Sequence, residues 1–306
     1  MKLGVVGAGA WGTALAQVAA GGGGEVLIWA REPEVVEAIN AGHENTAFLP
    51  GVPLSPSIRS TGDLGALSGC EALLVVAPAQ HLRSVVSQLS TDGQLLVLCA
   101  KGIEDGTGML MHEVAREVQP SSPVAVLSGP TFAHEVAAGL PTAVTLAAED
   151  RELGQRIIDR IARPWFRPYF SDDVAGAEVG GAVKNVLAIA CGVVEGRGLG
   201  LNARSALISR GFAEMTRFGL AKGARPETLA GLAGLGDLVL TCSSTSSRNF
   251  SLGKGIGEGG RPADLLADRK TVAEGAFTAP VLKRAADALG VDMPIAGAVC
   301  ALLAGE

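Results

Sequence analysis

An α/β domain built on a mostly parallel sheet with helices on both faces, followed by an all-α domain, is expected from three observations. Short apolar runs without polar alternation recur through the first half: "KLGVVG", "EVLIWA", "EALLVVAP", "QLLVLCA", "PVAVLSG" and "TAVTLAA". Helix-like stretches lie between most of them. Past residue 171 the strand pattern stops and apolar residues recur every three or four positions. Unbroken Val/Leu runs alternating with helices are the mark of a sheet buried on both faces. The expected domains are 1–171 and 172–306.

Taken in order, the first strand, "KLGVVG", runs into the helix "GTALAQVAA"; "EVLIWA" is followed by "PEVVEAIN". The segment "NTAFLPGVPLSPSIRST" crowds prolines and a glycine into "PGVPLSP" and reads as a loop excursion. Three strands follow with the helices "HLRSVVSQL" and "GMLMHEVAREV" among them. "TFAHEVAAG", the strand "TAVTLAA" and "ELGQRIIDRIA" close the first half. In the second half "DDVAGAEVGGAVKNVLAIACGVVEG" places Val179, Val183, Val186, Leu187, Ala190 and Val194 on one helical face. "ARSALISRGFAEMTRFGLAKG", "PETLAGLAG", "FTAPVLKRAADALG" and "PIAGAVCALLAGE" also read as helices.

Composition excludes several classes. The 306 residues are 48% hydrophobic, enough for a sizeable core. Glycines and charges break every apolar run well short of the roughly 18 residues of a spanning helix, so no membrane span is expected. The N-terminal apolar run passes straight into glycines with no cleavage-type region, so no signal peptide is read and the expected location is cytoplasmic. The five cysteines include no CxxC, which suits reduced thiols. The four histidines show no HxxxH or HExxH spacing, so no metal is expected. A net charge of −6 argues against a nucleic-acid partner but allows a small anionic ligand.

Gly7-x-Gly9-x-x-Gly12 stands between a strand and a helix, the context of the Rossmann-type dinucleotide fingerprint. Gly7 would allow the tight turn, Gly9 the approach of a pyrophosphate, and Gly12 close helix packing. The unpaired N–H groups and positive dipole of the helix start would hold the anion. A plain glycine-rich turn is the alternative. At the end of the second strand Arg31 stands where NAD-binding chains place an acid, which favours NADP(H), with NAD(H) also accommodated; the neighbouring Glu32 blurs that choice.

Lys184 lies inside the long helix, with Gly180 one turn before it and Gly181 beside that. Mid-helix glycines each cost about 1 kcal/mol relative to alanine, so something is expected to approach this face closely. Lys184 is either a solvated lysine or, in this apolar setting beside Asn185, a working acid or base. Asp237, in the glycine-dense turn "GLAGLGDLVLTC", either caps a helix or orients the lysine. Ser247, Arg248 and Asn249 form a compact donor set suited to a phosphate, or a flexible loop with an incidental arginine.

In these stretches the chain resembles the bacterial-type NAD(P)-dependent glycerol-3-phosphate dehydrogenases. "GAGAWGTALA", "WAREPE", "FLPGVPL", "AKGIE", "LSGPTFAHEVA", the long stretch from Val183 to Met215, "GLAGLGDLVLTC" and "SRN" match in order and spacing over essentially the whole chain. The resemblance implies that Lys184 is catalytic and that Lys101 lies near substrate and nicotinamide. It implies substrate contacts at Gly129, Thr131, Asn185, Asp237, Ser247, Arg248 and Asn249. Cofactor contacts are implied at Trp11, Arg31, Lys101, Ala133, Arg248, Val272 and Glu274, beside Gly7, Gly9 and Gly12. Ala10 and Ala100 stand where the family usually has serine, Phe48 where tyrosine is frequent, and Thr131 where serine is frequent.

The implied reaction interconverts dihydroxyacetone phosphate and sn-glycerol 3-phosphate by hydride transfer with NAD(P)H, feeding glycerophospholipid synthesis. Lys184 would be the acid, Asp237 would hold it, Lys101 would polarise the carbonyl, and Arg248 with Asn249 would clamp the phosphate. Two alternatives stay open: a related β-hydroxyacid dehydrogenase acting on a carboxylate, and a non-catalytic nucleotide sensor. The expected partner is a small phosphorylated substrate. The sequence does not set the oligomeric state, a homodimer being one expectation.

Overall fold

A computed structural model describes residues 1–91, 93–267 and 273–306. The chain divides into two units, Met1–Ala100 with Met111–Val174, and Lys101–Leu110 with Ala175–Glu306. A single division after residue 171 assigns Lys101–Leu110 to the first domain; the structure groups this segment with the second unit. Its Ile103 and Leu110 are fully buried in that unit's apolar core, which is the physical reason.

The first unit holds one eight-stranded sheet. Its strands are β1 (Leu3–Val6), β2 (Val26–Trp29), β3 (Ile58–Thr61), β4 (Ala72–Val75), β5 (Leu95–Leu98), β6 (Val124–Ser128), β7 (Thr142–Ala148) and β8 (Phe166–Ser171). They lie in the order β3-β2-β1-β4-β5-β6-β7-β8. All neighbours pair in parallel except β6 and β7, which run antiparallel with Leu127 opposite Leu146. β1, β4, β5 and β6 are buried at every position, as a sheet covered on both faces requires. The strand order reverses between β1 and β4, and the carboxyl ends of strands at such a switch point form the crevice where open α/β sheets bind ligands.

β3 and β8 are the two edges, and neither was expected from the sequence. β3 closes the segment read wholly as a loop. β8 carries Pro168, whose missing N–H a central strand does not tolerate but an edge strand does. Both alternate buried and exposed residues over much of their length instead of presenting an unbroken apolar run.

The covering helices are α1 (Ala10–Ala20), α2 (Pro33–Gly42), α3 (Leu82–Ser87), α4 (Met111–Val118), α5 (Ala133–Ala137) and α6 (Arg151–Ile161). α6 starts where Asp150 accepts from the N–H groups of Glu152 and Leu153. The carboxyl end of α1 is met by two arginines: Arg160 and Arg163 each donate to the Ala19 carbonyl, at 2.6 and 3.0 Å. Cations there complement the helix dipole.

The second unit is helical: α7 (Val174–Gly196), α8 (Gly200–Ala221), α9 (Pro226–Leu229), α10 (Asp237–Thr241), α11 (Arg248–Gly257), α12 (Pro262–Leu266), α13 (Glu274–Ala288) and α14 (Pro294–Ala304). By length and mean hydropathy α7 could cross a membrane, although no unbroken apolar run suggested it. In its most apolar 18-residue window, 89% of residues are buried inside the protein, as in a core helix. Val179, Val183, Val186, Leu187 and Ile189 are almost wholly buried, each stabilising the fold by about 1.5–3 kcal/mol.

Two contacts of α7 explain its glycines. A Cβ at Gly180 would lie 2.1 Å from the Ala233 carbonyl oxygen, so the bared face accommodates the π-helical turn Leu232–Gly236. α7 and α11 interlock through reciprocal glycines. Cβ atoms at Gly192 and Gly196 would strike the Phe250 and Lys254 carbonyls, and those at Gly253 and Gly257 the Ile189 and Val193 carbonyls. Main chain therefore packs on main chain along this seam.

Candidate functional site

In the first unit the chain turns sharply from β1 into α1. Gly7 has φ 109°, a conformation L side chains rarely adopt. A Cβ at Gly12 would lie 1.9 Å from the Gly7 carbonyl, so glycine is required for α1 to follow so closely. At Gly9, the residue preceding α1, an added Cβ meets nothing within 4 Å. That open backbone is followed by helix N–H groups with no intrahelical acceptor. Trp11 lies beside it with a buried Nε1 that has no hydrogen-bond partner. These features fit the pyrophosphate of a dinucleotide.

Arg31 follows the end of β2, its side chain 82% exposed and its Nη2 3.0 Å from Glu32 Oε1. The guanidinium is therefore available to solvent yet tethered by its neighbour. After β6, Gly129 has φ 155°, and a Cβ there would be 2.9 Å from Val144 Cα. Thr131 donates to the Gly129 carbonyl at 3.3 Å, and Ala133 begins α5. Ser128 Oγ, on the preceding residue, is buried without a hydrogen-bond partner.

The second unit brings three charged groups together from distant parts of the chain. Asp237 is fully buried. Its Oδ2 lies 2.7 Å from Lys101 Nζ, and its Oδ1 2.5 Å from Lys184 Nζ. Lys184 also donates to Thr241 Oγ1 at 2.9 Å. Each component has a local cause. Lys184 projects from the core helix α7. The π-helical turn, admitted by Gly180, delivers Asp237 as the first residue of α10. Thr241 follows one turn later on the same face. A π-helical turn is a frequent companion of functional sites.

The electrostatics follow from burial. Desolvation lowers the Lys184 pKa to about 8. The Asp237 carboxylate opposes this shift and the Lys101 ammonium reinforces it. Burial raises Glu274, at the start of α13, while Arg248, Lys101 and Lys184 pull it down. Two lysines sharing one carboxylate leave the cluster with an excess of positive charge, suited to a developing alkoxide and an anionic substrate.

The third piece is the start of α11. Ser247 caps it by accepting from the Phe250 N–H at 3.3 Å. Asn249 is buried; its Nδ2 donates to Asn185 Oδ1 at 3.0 Å, and its Oδ1 accepts from the Gly275 N–H at 2.9 Å. A Cβ at Gly275 would be 2.4 Å from the Asn185 carbonyl. Asn185, Asn249 and Gly275 thus knit α7, α11 and α13. Arg248 stands between its buried neighbours with its side chain exposed.

The structure gathers Lys101, Lys184, Asn185, Asp237, Ser247, Arg248, Asn249 and Glu274 in the second unit, and Gly7, Gly9, Trp11, Gly12, Arg31, Gly129, Thr131 and Ala133 in the first. Val272 lies outside the described residues. Thr241 is a site residue that the sequence does not single out. Its signal is the spacing "DLVLT", four residues on from Asp237, which a stretch read as a turn does not reveal.

Residues 2–154 match the family model described as NAD-dependent glycerol-3-phosphate dehydrogenase N-terminus, and residues 173–306 match its C-terminus. A glycerol-3-phosphate dehydrogenase (NAD(P)+) of Erythrobacter litoralis is 65% identical over 304 residues, covering 99% of this chain and 92% of the relative. The protein so named from Novosphingobium aromaticivorans is 65% identical over 305 residues, with 99% and 92% covered. A crystal structure of glycerol-3-phosphate dehydrogenase from Coxiella burnetii superposes with a TM-score of 0.95 at 38% identity, covering 99% of this chain and 94% of that one.

Proposed function

Since the chain belongs to the NAD-dependent glycerol-3-phosphate dehydrogenase family, we propose that its buried lysine–carboxylate cluster is the proton-transfer centre of that family's reaction. The protein is an oxidoreductase that interconverts dihydroxyacetone phosphate and sn-glycerol 3-phosphate with NAD(P). The observation that carries the assignment is Lys184 Nζ held 2.5 Å from Asp237 and drawn down to a pKa of about 8 by burial. A group of that pKa is near balance at working pH, which is where a general acid–base is most effective.

When bound, the nicotinamide cofactor supplies the hydride. The residues around it do the rest. In ketone reduction the Lys184 ammonium donates a proton to the oxygen on C2 of the substrate. In alcohol oxidation the neutral amine removes it. Asp237 fixes the ammonium through Oδ1 and holds Lys101 through Oδ2. The Lys101 ammonium polarises the carbonyl. Arg248 binds the substrate phosphate with a planar fork, and Asn185 with Asn249 sets the position of its helix. Gly129 and Thr131 line the substrate's approach, and Glu274 and Ala133 contact the cofactor.

The glycine turn Gly7–Gly12 and Trp11 hold the dinucleotide, and Arg31 selects NADPH over NADH by pairing with the 2′-phosphate. The cytoplasm suits five cysteines that include no CxxC. The deciding assay follows NADPH and NADH absorbance with dihydroxyacetone phosphate and with β-keto acids. Turnover of the phosphate substrate, faster with NADPH, is the expected result. Turnover of the keto acids alone would replace the substrate assignment, and cofactor binding without turnover of either would make the protein a sensor.

A further inference from the structure

The loop between α2 and β3 is tied to the nucleotide-binding turn by one side chain. Asn45 is fully buried. Its Nδ2 donates to the Ala8 carbonyl at 2.8 Å and to Thr13 Oγ1 at 2.8 Å. Both amide hydrogens are therefore used. Its Oδ1 accepts from the Phe48 N–H at 3.1 Å, and its own carbonyl accepts from the Leu49 N–H at 2.9 Å. Farther along, Gln17 of α1 accepts from the Ser55 N–H at 2.9 Å. The loop is thus pinned along α1, and Asn45 is the point at which it grips the glycine turn.

What Asn45 grips matters. The Ala8 carbonyl belongs to the Ala8–Gly9 peptide. In a trans peptide the C=O and N–H point in opposite directions. With the carbonyl drawn inward to a buried amide, the Gly9 N–H is turned outward, on the exposed side where a Cβ at Gly9 meets nothing. Gly9 has no side chain to restrain this peptide, and glycine backbone is the most permissive of all. The shorter restraint, at 2.8 Å, comes from a residue remote in sequence, and Thr13 Oγ1 adds a longer bond to the same carbonyl at 3.4 Å.

We infer that Asn45 is a positioning residue for the dinucleotide: by fixing the Ala8–Gly9 peptide it aims the Gly9 N–H at the cofactor's pyrophosphate. The inference rests on the assignment of the glycine turn to cofactor binding. It adds that the affinity of the turn is set from outside the fingerprint, by an asparagine in the loop segment.

Asn45→Leu replaces the amide by an uncharged side chain of similar shape, so anion repulsion is not introduced. NADPH affinity is measured by titration calorimetry beside adenosine 2′-phosphate, which has the 2′-phosphate and no pyrophosphate. The expected result is an NADPH affinity weakened by about 10- to 100-fold. Adenosine 2′-phosphate should stay within about threefold, and so should the KM for dihydroxyacetone phosphate at saturating cofactor. Thr13→Val removes one of the two amide acceptors and the longer Thr13 bond to the Ala8 carbonyl while keeping the packing, and should give a smaller loss with the same selectivity. Unchanged NADPH affinity in a folded Asn45→Leu, or equal losses for both ligands, overturns the inference. If Asn45→Leu does not fold, Thr13→Val decides alone, and an unchanged NADPH affinity there overturns it. A wild type that binds no NADPH, or binds it no better than adenosine 2′-phosphate, would instead remove the assignment of the glycine turn itself.

Discussion

Lys184 donates to Asp237 Oδ1 across 2.5 Å, and both side chains are buried. A lysine so placed keeps its partner but loses its hydration, and desolvation is the larger effect on its pKa. Its protonation state therefore changes near pH 8 rather than near 10.5.

That titration gives a signed pH dependence. For ketone reduction kcat/KM should fall as pH rises through about 8, where the ammonium is lost. For alcohol oxidation it should rise over the same interval. Asp237 pulls the pKa up, so in Asp237→Asn both bends should move to lower pH; Lys101→Met should move them higher. Lys184→Ala should reduce turnover by roughly 100-fold or more while NADPH still binds. A variant keeping more than about a tenth of the rate would remove Lys184 as the acid.

Stability changes in the direction of the oxidation rate, rising with pH. The folded pKa of Lys184 lies below its unfolded value, so the unfolded chain binds more protons between about 8 and 10.5. The cost of burying the ammonium is fully present below pH 8 and is relieved as pH rises through that window. Urea midpoints across it should show a rising contribution from the wild type that Lys184→Met lacks.

Arg31→Asp should raise the KM for NADPH by about tenfold or more, since a charge-assisted pair contributes about 1.5–3 kcal/mol. NADH should be affected far less. Equal losses for the two cofactors would show that Arg31 does not read the 2′-phosphate.

Arg248 is tested by comparing dihydroxyacetone phosphate with dihydroxyacetone. Wild-type kcat/KM should favour the phosphate by several powers of ten, because remote binding energy is used at the reacting carbon. In Arg248→Ala that preference should shrink by at least about a hundredfold, and in Arg248→Lys by less, charge being kept and the fork lost. The same factor lost on both substrates would assign Arg248 to cofactor or fold.

Gly253→Ala would set a Cβ 2.0 Å from the Ile189 carbonyl. It should destabilise the protein by about 1–3 kcal/mol or more, read from denaturant midpoints. Gly297→Ala in α14 is the control. Its Cβ meets only Lys283 Cε, at 3.6 Å, so helix propensity should leave stability unchanged or raise it by up to about 1 kcal/mol.

The central strands were legible because a sheet buried on both faces needs unbroken apolar runs, and β1, β4, β5 and β6 have them. The edges β3 and β8 were not, since edge strands tolerate polar residues and Pro168. The glycine turn was legible from its spacing between strand and helix. The bared face at Gly180 was rightly read as a close approach, yet what approaches is the Ala233 carbonyl. Lys184 was legible as an acid or base, and Asp237 as either a cap or the group that holds it. Their meeting with Lys101 on one carboxylate depends on tertiary folding that no local pattern encodes. The role of Ser247 as a cap and the hold of Asn185 and Gly275 on Asn249 were hidden for the same reason.

The interlocked glycines of α7 and α11 act as a ruler. Lys184 stands on one helix and Arg248 on the other, and their separation is set where peptide planes touch, with no side chain between to soften or repack. Rotamer changes elsewhere in the second unit should therefore leave that seam unstretched. The interval between the proposed proton donor and the proposed phosphate clamp is thus set by the contact distance of two backbones, and it should hold until the two helices part altogether.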